Sequence, residues 1–337
     1  MKQRLRILFI TLSLYVASCK NDFNINGPAE DVYMFNCILR NDTSVQYALI
    51  SKNYYTDNGT TPAPNSIEQN IKGVIIKIYT NDSVFVMRDT TIQVAYSGNI
   101  NQVNCYYVKN LIMNPGQVIR FDATSPDGNI LKSTIRVPQI SYGNFSPNFP
   151  QIYRPADPTE FLPGYQTKPY YSWNWVGATE ESTTILSLPQ LEVYYKKYDA
   201  GTFVDKKILI PLALYYIVDK DRNVIPVNVE LSFNRSCVTT LEAVNKAMQD
   251  ISGNDPYKEN YIITKVDFSV ISLDPVLTKY YSANNTYSES FTVKLRQTDF
   301  SNIEGGKGLF GIYYKFSNPL VVDSFYVKSF GYRYAPS

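Results

Sequence analysis

The glycine-rich segment Gly305–Gly311, GGKGLFG, has a spacing that suggests chemistry. Gly306, Gly308 and Gly311 follow the pattern G-x-G-x-x-G, which lets backbone N–H groups surround the phosphates of a dinucleotide. That pattern must follow a strand and begin a helix, whereas these glycines follow the polar segment TDFSNIE and precede the strand-like segment GIYYKFS. The segment therefore predicts a tight loop between strands, in which glycine permits positive φ and close backbone approach, with no nucleotide or other cofactor.

Cys19 is a candidate for covalent lipid attachment. Three basic residues begin the chain, and the apolar stretch Ile7–Val16 that follows is too short to span a bilayer. Ala17 and Ser18 then precede the cysteine, which is the pattern of a bacterial lipobox. The alternative is an ordinary secretory signal followed by an unrelated cysteine. The pattern favours a lipoprotein signal peptide over residues 1–18 and a membrane anchor through the lipid on Cys19.

Histidine is absent from the sequence. This absence excludes Ser-His-Asp and Cys-His catalysis and every metal site that needs a histidine ligand. The remaining cysteines, Cys37, Cys105 and Cys237, are too scattered for a metal or redox pair. Cys37 and Cys105 fall in predicted strands of the same domain, which leaves a disulfide and two buried free thiols as open alternatives.

Carboxylates are the other candidates for chemistry. Glu180–Glu181, or Glu192 with Asp199, could serve glycoside hydrolysis, which needs two carboxyl groups about 5 to 9.5 Å apart across a cleft. Nothing in their spacing indicates that arrangement, so solvated surface charges are favoured. Asp219–Glu230 carries acids at EF-hand positions 1, 3 and 12, but Val224 replaces the glycine of that loop, which favours a hairpin turn over a calcium site. The sequence predicts no catalytic residue and no metal.

Three aromatic residues alternate along the segment YYSWNWV. Tyr171, Trp173 and Trp175 therefore share one face of a predicted strand. On an exposed face the rings would stack on a sugar or a partner, and on an inner face they would fill a core. The inner face is favoured because large apolar rings are usually buried.

The elements that position these residues are predicted to be mainly β-strands. The sequence is rich in β-formers and contains 29 tyrosines. Ile119, Phe121 and Ala123 alternate with charged residues, and the turn Ser125–Gly128 predicts a hairpin with the next strand.

One long helix is predicted over residues 239–253. Thr239 and Glu242 have the spacing of a capping box, and Gly253 ends the apolar periodicity. A second, shorter helical turn is predicted to begin at Asp274-Pro275.

The sequence predicts an all-β protein with two β-sandwich domains. After the signal peptide, residues 19–31 form a polar tether and residues 32–138 an immunoglobulin-like or fibronectin-like sandwich. Residues 139–169 are proline-rich and predict a junction. Residues 170–337 form a second, mainly β domain with one inserted helix.

Two segments resemble a known family of lipoproteins from the Bacteroidota. NIEGGKGLFG, with the preceding DFSVISLDPVLTKYY, resembles the C-terminal signature of these proteins. PGQVIRFDATSPDGNILKSTIRVP resembles the end of the N-terminal β-sandwich in the family called domain of unknown function 4249. The resemblance implies a cell-envelope protein of a kind often encoded beside TonB-dependent outer-membrane transporters, which makes such a transporter a candidate partner. It implies no catalytic residue.

The expected role is that of a non-catalytic binding or accessory module at the outer membrane. Removal of the signal peptide changes the balance from 32 basic against 30 acidic residues to 29 against 30, because it removes three basic residues. This balance offers no electrostatic surface for nucleic acid. The alternatives are a structural or adhesive surface protein and a carboxylate-dependent hydrolase; the ligand is unknown.

Orientation at the membrane is predicted from the residues after the lipidation site. Lys20-Asn21-Asp22 resembles the stretch that exports Bacteroidota lipoproteins to the cell surface. Asn21 interrupts the expected run of acids, which leaves a periplasm-facing position as the alternative.

Overall fold

The chain is mainly β, as predicted. The computed structural model describes residues 32–53, 71–81, 83–96, 99–143, 148–150, 170–178, 184–221, 224–284 and 300–336. These residues form three sheets of ten, five and four strands, together with three α-helices. The finer expectation of an immunoglobulin-like or fibronectin-like topology stays a prediction.

The strands of the described ranges have the following bounds. They are β1 (Val32–Arg40), β2 (Val45–Asn53), β3 (Ile75–Tyr79), β4 (Val84–Val86), β5 (Arg88–Tyr96), β6 (Asn99–Lys109), β7 (Val118–Thr124), β8 (Ile130–Arg136), β9 (Ile140–Tyr142), β10 (Asn148–Phe149), β11 (Tyr170–Gly177), β12 (Ser187–Asp199), β13 (Thr202–Ile210), β14 (Ala213–Val218), β15 (Val224–Asn228), β16 (Ser236–Thr240), β17 (Tyr261–Leu273), β18 (Lys307–Val322) and β19 (Arg333–Tyr334).

The ten-stranded sheet contains strands from both ends of the chain. Eight strands lie in the order β13-β12-β17-β18-β1-β2-β6-β5, while β10 pairs with β18 and β19 pairs with β17. The 16-residue strand β18 pairs in parallel with β1 and antiparallel with β17. Strands from residues 32–138 and 170–337 therefore share one sheet. The division into two domains with a junction at 139–169 stays a prediction.

The first core lies between the four-stranded sheet and one half of the ten-stranded sheet. The smaller sheet has the order β4-β3-β7-β8, and its inward side chains meet those of β1, β2, β6 and β18. Phe35 and Phe121 stack with ring centroids 4.0 Å apart, and Phe310 packs edge-on against both. The predicted hairpin is confirmed, because Ser125–Gly128 connects β7 to β8.

The second core lies between the five-stranded sheet and the other half of the ten-stranded sheet. The five strands have the order β15-β14-β16-β11-β9, and β11 and β16 face β12, β17 and the end of β18. Helix α1 (Leu241–Asp250) covers this core with Val244, Ala247 and Met248. Helix α2 (Pro275–Asn284) packs instead on the opposite face of the ten-stranded sheet, against Leu273 and Leu309.

Two helical predictions need correction. Helix α1 exists, but its N-cap is Thr240, whose hydroxyl accepts the Ala243 N–H, while the Thr239 hydroxyl donates to the Pro211 carbonyl. Helix α3 (Ser324–Ser329) lies in the segment DSFYVKSFGYRY, whose aromatic and β-branched residues predict a strand. The Asp323 carboxylate accepts the Phe325 N–H and caps α3, so local capping outweighs the β-propensity of the aromatic residues. The described chain therefore has three helices, where one helix and a short turn were predicted.

Candidate functional site

The predicted ligand-facing aromatic residues lie in the second core. Tyr171, Trp173 and Trp175 are all buried. Trp173 stacks on Phe268 of β17 with ring centroids 4.9 Å apart, and Tyr171 stacks on Trp173. The three rings hold the five-stranded sheet against the ten-stranded sheet, so they present no face to a ligand.

The glycine segment forms the entry to β18. An isolated bridge between Lys132 and Glu304 attaches it to β8, and β18 then begins to pair with β1. Gly305 and Gly308 have φ values of 78° and 120°. A Cβ atom on Gly308 would lie 2.0 Å from the Phe35 carbonyl oxygen, so the glycine is needed for close strand approach.

The other predicted sites are placed as follows. Cys19 and Glu180–Glu181 lie outside the described residues. The thiols of Cys37, Cys105 and Cys237 are free and buried, so the free-thiol alternative holds, and burial raises the pKa of Cys37 to about 12. In the described part of 219–230, the chain passes through the β14–β15 hairpin, as favoured. No three His, Cys, Asp or Glu residues in the described ranges are grouped to hold a metal.

Glu192 and Asp199 do not form a catalytic pair. They lie seven residues apart on β12, which at about 3.3 Å per residue separates their Cα atoms by roughly 23 Å. That separation far exceeds the carboxyl spacing of a glycosidase. Glu192 instead belongs to a charged cluster that sequence spacing did not reveal.

This cluster, the Glu192 network, lies on the face of the ten-stranded sheet opposite the second core. The fully buried Glu192 carboxylate accepts hydrogen bonds from Lys207 Nζ at 2.8 Å, from Lys315 Nζ and from Tyr194 Oη at 3.0 Å. Burial alone would raise the pKa of Glu192, but the two ammonium groups outweigh it and hold the pKa below its usual value. A carboxyl group kept ionised in this way is unsuited to act as a general acid near neutral pH.

A second ion pair extends the Glu192 network along β17. Asp267 lies directly opposite Glu192 in the strand register, and Lys265 Nζ is 2.5 Å from Asp267 Oδ2. The same ammonium group lies 4.8 Å from the centre of the Tyr194 ring. Each of the two carboxylates therefore has its own lysine partner, which offsets the repulsion between two acids that lie opposite each other on neighbouring strands. The arrangement is that of a structural network.

Asp274 is a second buried carboxyl group, between β17 and α2. Its Oδ1 accepts the Leu277 N–H at 2.7 Å and caps α2, while Oδ2 accepts the Ile312 N–H of β18 at 2.9 Å. Burial raises the pKa of Asp274 to about 7, against the opposing effect of these N–H groups. One side chain thus joins α2 to the centre of the ten-stranded sheet.

The variant Asp274→Asn should lower the free energy of unfolding by about 1 to 2 kcal/mol at pH 4.5, because an amide N–H₂ would face the Ile312 N–H. The raised pKa of Asp274 stabilises the fold fully below the unfolded pKa of 3.8 and loses that contribution as pH rises to about 7. The wild type should therefore lose its advantage over the variant between pH 4.5 and 7.5. Urea unfolding of both proteins at the two pH values measures this, and an advantage that grows with pH would contradict it.

An open cleft lies where α1 meets α3 and the end of β10. The α1–α3 cleft has a volume of about 410 Å³. In the described part of the chain it is lined by three apolar residues and four neutral polar residues: Pro150, Leu241, Phe330, Asn245, Gln249, Tyr326 and Ser329. Tyr326 Oη donates to Asn245 Oδ1 at 2.8 Å, which fixes the phenol beside the amide. Aromatic surface beside amide and hydroxyl groups suits a neutral ligand that can form hydrogen bonds.

Comparisons with known proteins add no family or relative. The chain matches no protein-family model and no curated protein. Among the described residues, no helix is both long enough and apolar enough to cross a bilayer.

Proposed function

We propose that this protein is a lipid-anchored, non-catalytic binding module of the cell envelope. The observation that carries the anchor is the sequence of the N-terminus, where basic residues, the apolar stretch Ile7–Val16 and two small residues precede Cys19. In this proposal the acylated Cys19 attaches the protein to the outer membrane, and Lys20–Asp22 directs it to the cell surface.

The α1–α3 cleft is the proposed ligand-binding site. Among the described residues, its lining contains no charged side chain, which favours a neutral ligand. The paired Asn245 and Tyr326 side chains offer hydrogen-bonding groups beside the Phe330 ring, a combination that suits a small molecule with hydroxyl or amide groups. The cleft is open to solvent, so it would contact one side of such a ligand and leave the other side in water.

The variant Cys19→Ala should fail to attach a lipid, because the thiol is the acylation site. We expect an uncleaved precursor or a protein released into the soluble fraction, whereas Cys37→Ala, which removes a buried thiol, should remain in the membrane fraction. Membrane fractionation measures where each variant is located, and mass spectrometry of the N-terminus measures whether it is processed and acylated. A Cys19→Ala protein that is still processed and membrane-bound would contradict the anchor.

Orientation is tested separately by adding protease to intact cells. Degradation of the wild type, with periplasmic marker proteins spared, is expected for a surface-exposed protein. If the membrane-bound wild type survives, the anchor stands and the protein faces the periplasm. Detergent extraction followed by affinity purification would test the outer-membrane transporter as partner, and we expect the two proteins to co-purify.

The variant Asn245→Ala should weaken ligand binding at the cleft about tenfold, because one neutral hydrogen bond contributes about 1 to 1.5 kcal/mol. Titration calorimetry with neutral mono- and disaccharides and with N-acetylated dipeptides provides the measurement. The matched control is Lys246→Ala, which changes the next, exposed residue of α1 outside the cleft. A binding compound that is affected equally by both variants would contradict the cleft as its site.

A further inference from the structure

Among the strands that the structure describes, β13 forms one edge of the ten-stranded sheet, and most of its side chains are exposed to solvent. It is the terminal strand of that sheet, and its residues from Thr202 to Lys207 are all exposed. Phe203 and Leu209 are also 45% and 52% exposed. An exposed edge strand can pair with another chain unless it is short, bulged or repelled by its charges. β13 has nine residues, and its register with β12 has no irregularity.

The turn that precedes β13 determines which of its backbone groups point away from β12. Ala200 and Gly201 have φ values of 45° and 89°, and Asp199 pairs with Thr202, which is the geometry of a two-residue hairpin with a type I′ turn. In such a hairpin the pair beside the turn is hydrogen-bonded, and bonded and non-bonded pairs then alternate. The outward backbone groups therefore belong to the odd-numbered residues: Phe203, Asp205, Lys207 and Leu209.

We propose that a second copy of this chain pairs with β13, antiparallel and about a two-fold axis at Lys206. This register places Asp205 of each copy opposite Lys207 of the other, and Phe203 of each opposite Leu209 of the other. Every outward hydrogen-bonded pair then joins opposite charges or two apolar side chains. The interface is self-complementary, as a two-fold interface must be.

The charges on β13 select this register over its neighbours. A shift by two residues in one direction would place Asp205 of one copy opposite Asp205 of the other. A shift by two residues in the other direction would place Lys207 opposite Lys207. Like charges directly opposite each other destabilise a strand pair. The proposed register also has one like-charge pair, Lys206 opposite Lys206 on the other face of the sheet, but it alone adds two opposite-charge pairs between Asp205 and Lys207.

Cross-linking tests both the dimer and its register. Non-bonded antiparallel partners have Cα atoms about 4.5 Å apart, so Lys206→Cys should form a disulfide across the axis. Val204→Cys is the matched control. Residue 204 of one copy would lie opposite residue 208 of the other, so the two introduced cysteines would be about 13 Å apart along the strands. The detergent-solubilised full-length chain is oxidised mildly and run on a non-reducing gel. We expect a reducible dimer for Lys206→Cys alone.

A charge variant provides the second measurement. Asp205→Lys would place two lysines opposite each other at two positions, and sedimentation should show a dimer dissociation constant raised about tenfold or more. Asp205→Glu keeps the charge and should leave the dimer unchanged. The proposal is overturned if the wild type sediments as a monomer, if Val204→Cys cross-links as well as Lys206→Cys, or if Asp205→Lys dimerises like the wild type.

Discussion

Gly308→Ala should lower the free energy of unfolding by about 4 kcal/mol or more. Gly308 has a φ of 120°, a conformation that costs an L-residue about 1 to 3 kcal/mol. Its added Cβ would also lie 2.0 Å from the Phe35 carbonyl oxygen and within 3 Å of the Phe35 backbone nitrogen and carbonyl carbon. Relief of that overlap requires β18 to move away from β1, which would disturb the aromatic core around Phe310.

Gly128→Ala is the matched control for the Gly308 variant. Gly128 also has a positive φ, 88°, but nothing lies within 4 Å of its added Cβ. We therefore expect only the conformational cost, about 1 kcal/mol. Guanidinium unfolding of both variants separates steric overlap from backbone strain, and equal losses would contradict a close approach at Gly308. Binding of ATP or NAD by the wild type would contradict the structural role of the loop itself.

Glu192→Ala should cost about 3 to 4 kcal/mol at pH 7. The substitution leaves the Lys315 ammonium group, whose side chain is only 10% exposed, without its carboxylate partner. An unpaired charge in a mostly buried position is far more costly than the loss of a surface ion pair. Lys207→Ala is the control, because the Lys207 side chain is 56% exposed, and we expect a loss below about 1 kcal/mol.

The pH dependence of the Glu192 variant has the opposite sign to that of Asp274. The pKa of Glu192 is lowered in the folded protein, so its contribution is present above the unfolded pKa of 4.5 and is lost as pH falls through the folded pKa. Urea unfolding should therefore show a smaller difference between the wild type and Glu192→Ala at pH 3.5 than at pH 7. A double variant, Glu192→Leu with Lys315→Met, should recover most of the stability, because the only charge that loses its partner is then Lys207, whose side chain is 56% exposed and can be hydrated. A double variant as unstable as Glu192→Ala would contradict this account.

Sequence patterns predicted which local elements form better than they predicted which strands and side chains those elements contact. The alternation of Ile119, Phe121 and Ala123 predicted a half-buried strand, because the two faces of a strand differ in burial. The same reasoning failed at α3, where Phe325 and Tyr326 suggested a strand. The Asp323 N-cap was the local feature that could have indicated the helix.

The candidate sites depend on long-range placement, which no local pattern contains. Glu192 was paired in sequence with Asp199 on its own strand, but its partners in the fold come from β13 and β18. The α1–α3 cleft likewise combines residues from three separate segments. Aromatic burial was more predictable, since Trp173 and Trp175 alternate with smaller residues in the way that an inward strand face requires.

The parallel pairing of β1 with β18 determines when the centre of the ten-stranded sheet can form in a newly synthesised chain. The ribosome makes β1 long before β18, so β1 lacks one of its two neighbours while the residues between the two strands are synthesised. The first core also needs Phe310 and Ile312 of β18, and it stays incomplete for the same time. A truncated product that ends before Lys307 would expose that vacant edge permanently, and proteases and chaperones that recognise open strands would meet it there.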